Sequence, residues 1–365
     1  MKNKRVYFFL GTTAELIKIA PVIKELNKRN IRYKVITSGQ NKIIFDDLKD
    51  YFGEIKVHIA FKEKTPRSSP LYFSLWALKT LITGIFSLRR EFKGLHKKNS
   101  YFIVHGDTIS SLLGSIIAKF YGLKIVHVES GLRSFNFLEP IPEEICRFII
   151  THIADILFAP NDWALNNLKG IEAEKVKTKE NTLIESCLWA VTQKNNNQSI
   201  KKLNKYFILF MHRQEHIYFN IGWTRNIIET IISNAKKDLK CIIILHALTS
   251  RFLEFQRIDA ISQKRKNIVF LPKLPYKDYI YLLKNSEFIA TDSCTNQEEA
   301  YYLGVPYLGL RNLTERIEGL GQNVVISKGN KKIIKDFLKN YKNYKKHPVK
   351  LEERPSNIIV DYLLG

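Results

Sequence analysis

The chain has 365 residues, more than one hydrophobic core normally organises, so two domains are the expectation. It is 45% hydrophobic and 25% charged, which excludes wholesale disorder, collagen and a polytopic membrane protein. A formal charge of +23 suits an anionic membrane face or anionic small substrates, or simply a Lys- and Asn-rich proteome. The lysines are spread along the chain, without an arginine-rich arm, RRM signature or zinc-finger spacing, which argues against a nucleic-acid partner.

From the start, short β-rich runs alternate with helix-period stretches. VYFFL (6–10) precedes a helical pattern over 15–29; YKVIT (33–37), a helix over 41–51 and IKVHI (55–59) follow. Next come YFIVH (101–105), a helix over 109–121, KIVHV (124–128), a helix over 142–152 and DILFA (155–159). This is βαβ alternation, and it predicts a parallel sheet covered on both faces. MKNKRVYFFLG begins like a signal peptide, but its apolar run ends where a strand would end, so a cytoplasmic first strand is expected. The polar stretch QKNNNQSIKK (193–202) interrupts the pattern. It resumes with YFILF (206–210), a helix over 219–236, CIIIL (241–245), NIVFL (267–271), EFIAT (287–291) and VPYLGL (305–310). The fold class expected is therefore α/β, with two doubly wound parallel-sheet domains over 1–172 and 173–349. A C-terminal helix over 350–365 returns to the first domain. Ligands of such folds bind at the carboxyl ends of strands, here in an interdomain cleft.

Segment 71–88, LYFSLWALKTLITGIFSL, carries one charge in 18 residues and is followed by Arg89 and Arg90. It reads either as a helix packed on the sheet or as an interfacial helix on an anionic membrane, a peripheral contact through 71–90. The four cysteines, at 146, 187, 241 and 294, are scattered, which suits a reducing compartment better than a zinc ribbon or disulfide framework.

Polar residues directly after strands are the candidates for chemistry. Gly11-Thr12-Thr13-Ala14-Glu15 opens a helix that contains Lys18, and a helix N-terminus favours an anion. Asp107 follows YFIVH-Gly106, Glu129 follows KIVHV, and Glu143 stands four residues before Arg147 on one helix face. Each has an ordinary explanation, as a cap or a surface ion pair. Three acids from three successive strand-to-helix transitions nevertheless converge on one cleft. In the second half, His212 and Arg213 follow YFILF-Met211, His246 follows CIIIL, and Asp292-Ser293-Cys294-Thr295 follows EFIAT with Glu299 one turn into a helix. A histidine there can act as acid or base, hydroxyls before a helix suit phosphate, and a carboxylate suits a ribose diol. The acids occur without a plausible metal-ligand set, so neither metal nor cofactor is expected.

Together, GT-AE-IK-APVI, VHGDT-SS, HVESGLRS, PIPEEICR, MHR-E, TDS--QEEA--LGVP and TER (314–316) resemble the non-hydrolysing UDP-N-acetylglucosamine 2-epimerases, over about residues 5 to 326. The resemblance implies a GT-B-like fold and interconversion of UDP-GlcNAc and UDP-ManNAc for surface polysaccharides, through C2 deprotonation and anti elimination of UDP. It further implies catalytic roles for Asp107, Glu129, Glu143 and His212, and substrate-binding roles for Lys18, Arg147, Arg213, Ser293 and Glu299. A homodimer is also implied. Three departures stand out: the family's GTRPE reads GTTAE, its Ser-Gly-Gly loop reads Ser293-Cys294-Thr295, and its HRREN reads His212-Arg213-Gln214-Glu215-His216. They leave open a membrane-associated GT-B glycosyltransferase, a hydrolysing relative or a non-catalytic binder.

Overall fold

The computed structural model describes residues 4–63, 70–137, 139–213, 215–245 and 267–365. Its contacts divide the chain into one unit of Met1–Ser186 with Leu351–Gly365 and a second of Cys187–Lys350.

In the first unit seven strands form a parallel sheet in the order β3-β2-β1-β4-β5-β6-β7. They are β1 (Arg5–Leu10), β2 (Tyr33–Thr37), β3 (Val57–Ala60), β4 (Ser100–His105), β5 (Lys124–Val128), β6 (Ile156–Ala159) and β7 (Glu174–Lys177). The central strands are apolar throughout because both faces are covered; Phe8, Phe9, Phe102, Ile125 and Leu157 are fully buried. Covering them are α1 (Thr13–Lys28), α2 (Pro70–Ser87), α3 (Ile109–Phe120) and α4 (Glu143–Ile153). The chain leaves this unit within α5 (Leu183–Thr192).

The second unit repeats the plan with six parallel strands in the order β10-β9-β8-β11-β12-β13. These are β8 (Tyr206–Phe210), β9 (Lys240–Leu245), β10 (Ile268–Pro272), β11 (Ile289–Thr291), β12 (Tyr307–Gly309) and β13 (Val324–Ile326). Four of its helices are α6 (Ile221–Asn234), α7 (Tyr276–Lys284), α8 (Cys294–Leu303) and α9 (Lys331–Asn340). The last helix, α10 (Pro355–Leu364), belongs to the first unit, where it packs on α1 and Arg29 pairs with Asp361 at 2.5 Å.

Two expectations need correction. The first unit extends to 186, not 172, because β7 pairs with β6. Residues 41–51 do not form one helix: a 3-10 turn at Asp46–Leu48 leads into the short helix Lys49–Phe52, ended by Gly53 at φ +83°. Segment 71–88, open between a packed and an interfacial helix, falls on α2 (Pro70–Ser87), which turns Tyr72, Leu75, Leu78, Ile82 and Phe86 outward. Among the described residues no helix is long and apolar enough to cross a membrane.

Each sheet has a topological switch point, β1/β4 in the first and β8/β11 in the second. There the connections depart in opposite directions and leave a crevice at the carboxyl ends of the strands. Lys18, Asp107 and Glu129 border the first of these ends; His212, Arg213 and Asp292 border the second.

Candidate active site

In the first unit the polar groups are knitted together beneath the strand ends. Glu15 closes a capping box with Thr12 and accepts from the backbone N–H groups of Gly11 and Thr12, both at 2.7 Å. Its other oxygen accepts from the hydroxyls of Thr108 at 2.7 Å and Ser111 at 2.8 Å, tying the start of α1 to the start of α3. Burial pushes the Glu15 carboxyl up, and these donors oppose it. It is a structural knot that the sequence signalled only as part of a motif.

Glu129 occupies the left-handed region at φ +68° and is buried. Its carboxylate accepts from Lys18 Nζ at 2.6 Å and from the Asn181 amide, with His105 Nε2 3.9 Å away. Gly106, at φ +65°, lies so close that a Cβ there would sit 3.3 Å from Glu129 Oε1. Asp107, partly exposed, forms an ion pair with Arg147. Arg147 is buried and also pairs with Glu144 at 3.1 Å, while Glu144 receives Arg133 at 2.5 Å. Glu143, half-buried, is the first residue of α4.

Two groups report how tightly these charges gather. His127, buried, donates through Nε2 to the Gly106 carbonyl at 2.7 Å. Burial brings its pKa down to about 4, against the pull of Glu129 and Asp107, so it is neutral at pH 7. The Cys146 thiol is pushed up to about 12, first by burial and then by Asp107 and Glu143, with Arg147 opposing. Lys18, Asp107, Glu129, Glu143 and Arg147 thus share one neighbourhood. Lys18 and Arg147, expected to meet phosphate, are engaged as counter-ions of the carboxylates.

The second unit is organised around a residue to which sequence reasoning gave no role, Asp292. Wholly buried after β11, it accepts from the backbone N–H of His212 at 3.1 Å and of Arg213 at 3.0 Å. The Nδ1 atoms of His212 and His216 lie 3.1 and 3.0 Å from its two oxygens. Burial alone would raise the Asp292 carboxyl, but the two imidazoles outweigh it and hold it well below the usual carboxylate range. The His212 ring stacks on Phe210 with centroids 4.7 Å apart, and His216 lies against Trp223 at 4.8 Å.

Cys294, the first residue of α8, points its sulfur at two guanidinium groups. Arg213 donates to it at 2.9 Å, and Arg311, which sequence reasoning missed, also contacts it. Arg311 pairs with Glu315 at 2.5 Å, and Arg213 lies 3.8 Å from the same carboxylate. Burial raises the Cys294 thiol against the pull of both arginines, so it is protonated at neutral pH. Ser293 spends its hydroxyl as the N-cap of α8, accepting from Asn296 N–H at 3.4 Å. Glu299 stands in a separate buried group, bonded by the Asn296 amide at 2.8 Å and beside Tyr276. His246 lies outside the described residues. Each residue of the TER run has a buried partner: Thr314 donates to Gln297 at 2.8 Å, Glu315 holds Arg311, and Arg316 holds Glu298 at 2.5 Å.

A family model described as UDP-N-acetylglucosamine 2-epimerase matches residues 24–357. The UDP-N-acetylglucosamine 2-epimerase of Methanocaldococcus jannaschii is 33% identical, with 94% of each chain covered. The chain belongs to the UDP-N-acetylglucosamine 2-epimerase family. The enzyme of that name from Neisseria meningitidis is 30% identical, with 99% of each chain covered. Among solved structures, the M. jannaschii enzyme in complex with UDP-GlcNAc and UDP superposes with a TM-score of 0.84 at 28% identity, covering 99% of this chain and 100% of that one. The N. meningitidis enzyme bound to UDP-GlcNAc gives 0.81 at 28% identity, covering 99% of both chains. The fold is accordingly GT-B-like.

The departures of this epimerase-family chain have physical readings. Thr13, where the family pattern has an arginine, accepts from the Ile44 N–H at 3.2 Å, and Cys294 fills the space of a glycine between two arginines.

Two predictions follow from these ion pairs. Lys18→Met leaves the buried Glu129 without its cation and is expected to cost about 3 kcal/mol in chemical denaturation. Asp292→Asn is expected to cost a similar amount, about 3 kcal/mol, at neutral pH. Because the Asp292 carboxyl is depressed in the fold, its contribution is complete above the ordinary carboxylate range, about pH 4, and is lost as the pH falls below it. The stability gap between the two proteins, measured by urea titration, should therefore narrow as the pH falls below about 4.

Proposed function

We propose that this protein is a non-hydrolysing UDP-N-acetylglucosamine 2-epimerase. The observation that carries the reading is the group of three carboxylates, Asp107, Glu129 and Glu143, at the switch point of the first sheet, in a chain of this family. A sugar C2–H is a poor acid, so its removal needs a carboxylate held in place and shielded from bulk water. Of the three, Asp107 and Glu143 keep solvent access and can reach substrate, while Glu129 is buried on Lys18. One of the accessible pair takes the C2 proton. The C1–O bond then breaks, its electron pair leaves with UDP, and a 2-acetamidoglucal remains. Return of a proton to the opposite face of C2 and of UDP to C1 gives the epimer, with no net redox change.

Arg213, with its neighbour Arg311, is assigned to the diphosphate, whose developing charge a guanidinium stabilises, and His212 to proton transfer. Lys18 and Arg147 act by holding Glu129 and Asp107 rather than by meeting phosphate. Ser293 and Glu299 are assigned to nucleotide binding. The four buried thiols support a reducing, cytoplasmic setting, and the product nucleotide serves surface polysaccharide synthesis. The glycosyltransferase alternative has no specific observation in its favour.

The test is deuterium wash-in. In D2O with UDP-GlcNAc or UDP-ManNAc, proton NMR should show deuterium at C2 and both epimers appearing. Asp107→Asn should lose exchange by roughly 100-fold or more while UDP binding persists. Undeuterated substrate with the native enzyme would refute the epimerase reading.

The exposed face of α2 supports a homodimer. Leu75, Leu78, Ile82 and Phe86 recur at the three- and four-residue spacing of a helix–helix seam, which a second copy would cover by two-fold symmetry. Lys79 and Thr83 interrupt the stripe, which makes it narrow for a membrane face. Leu78→Glu with Ile82→Glu should halve the sedimenting mass. A monomeric native protein that instead binds anionic vesicles would transfer this face to a membrane.

A further inference from the structure

The Asp292 carboxylate has two oxygens and about four lone-pair positions. Four nitrogens surround it: the backbone N–H groups of His212 and Arg213 and the Nδ1 of His216 hydrogen-bond to it, and the Nδ1 of His212 lies 3.1 Å from Oδ1. A ring nitrogen facing an ionised carboxylate at this distance carries a hydrogen, which assigns the tautomer of both imidazoles and leaves Nε2 as the bare nitrogen when the ring is neutral. The two histidines are not equivalent. The His216 side chain is 5% exposed and lies against Trp223, whereas that of His212 is 32% exposed. Of the two rings, that of His212 is the more accessible. Phe210 fixes the plane of its ring from one side.

The same residue also fixes Arg213, through its backbone N–H into the carboxylate and its Nε onto the Asp292 carbonyl at 2.9 Å. The wholly buried Asp292 carboxylate thus serves one short segment, 212–216. A serine side chain, Ser293, already performs that task for α8.

We propose that Asp292 is a positioning residue for the reaction: it holds His212 as the Nδ1–H tautomer with Nε2 presented to substrate, and His216 completes the hold by occupying the carboxylate's remaining position. This rests on the role assigned to His212 above. Asp292 touches no substrate itself and acts through the imidazole. With Nδ1–H committed to a carboxylate, Nε2 can accept a proton from substrate and return it without the ring rotating, and the imidazolium formed in between is stabilised by the buried anion. His216, standing where the family pattern has asparagine, makes the carboxylate's environment in this chain a pair of imidazoles.

The tautomer is directly observable. In protein labelled with 15N-histidine, long-range proton–nitrogen spectra at a pH where the imidazoles are neutral should show His212 as the Nδ1–H form, assigned by its loss in His212→Gln. An Nε2–H tautomer for His212 in the native protein overturns the proposal without any variant at Asp292. Where Asp292→Asn folds, its His212 signal should lose the Nδ1–H signature, and kcat for C2 exchange should fall roughly 100-fold while KM changes far less. A merely structural aspartate would lower the yield of folded enzyme and leave the tautomer unmoved, which also counts against the proposal. Native protein that shows the predicted tautomer but no wash-in would refute the epimerase reading and leave the positioning of His212 standing.

Discussion

A parallel sheet covered on both faces has no polar face to offer, so its chemistry is confined to the ends of its strands. Both units obey this constraint. Their central strands are built around residues such as Phe9, Phe102, Ile125, Ile208 and Ile243, which bury completely or nearly so. Charged residues therefore gather where a strand stops, and the switch point decides which two ends stand open. Gly106 and Glu129, both at positive φ, show how abruptly the backbone turns there to bring side chains together.

Gathering charges at a buried strand end is costly unless each is paired. The first unit solves this pairwise: Lys18 with Glu129, Arg147 with Asp107 and Glu144, Arg133 with Glu144. The histidines beneath, His105 and His127, are buried, and His127 is neutral by virtue of that burial. The second unit solves it by sharing, with four donors on Asp292 and two guanidinium groups around Glu315. Pairing compensates each buried charge separately, whereas a shared anion fixes the geometry of whatever surrounds it.

How much of this was legible depended on how local each signal is. The strands YKVIT and YFILF were legible to the residue because apolar runs and turn residues are adjacent in sequence. β7 was not, because Glu174-Lys175-Val176-Lys177 is a polar edge strand and the apolar-run signal disappears at an edge. Of the candidate site, Asp107, Glu129 and Glu143 could be picked out because each follows a strand or opens a helix. Their partners could not. The spacing of Glu143 and Arg147 suggested a pair, but Arg147 reaches Asp107, forty positions away, and Glu144 on its own helix. Asp292 read as one polar residue in a loop, because its four donors come from 76 to 80 positions upstream. Arg311 carries no local signal at all.

The altered phosphate corner shows why motif letters and chemistry can part company. Replacing a glycine by Cys294 removes the close backbone approach that glycine allows and puts a neutral thiol in its place, since burial keeps the sulfur protonated. The charge is still there. Arg213 and Arg311 converge on that sulfur, with Glu315 paired to Arg311 and 3.8 Å from Arg213, so two guanidinium groups stand beside the N-terminus of α8. A diphosphate needs positive charge and donors where its own charge grows, and either a glycine loop or a pair of guanidinium groups can supply them. Under the proposed reading, the chain has moved part of that work from backbone N–H groups to side chains. A guanidinium already held by Glu315 has less freedom to lose on meeting an anion, so the exchange costs less ordering than two free arginines would.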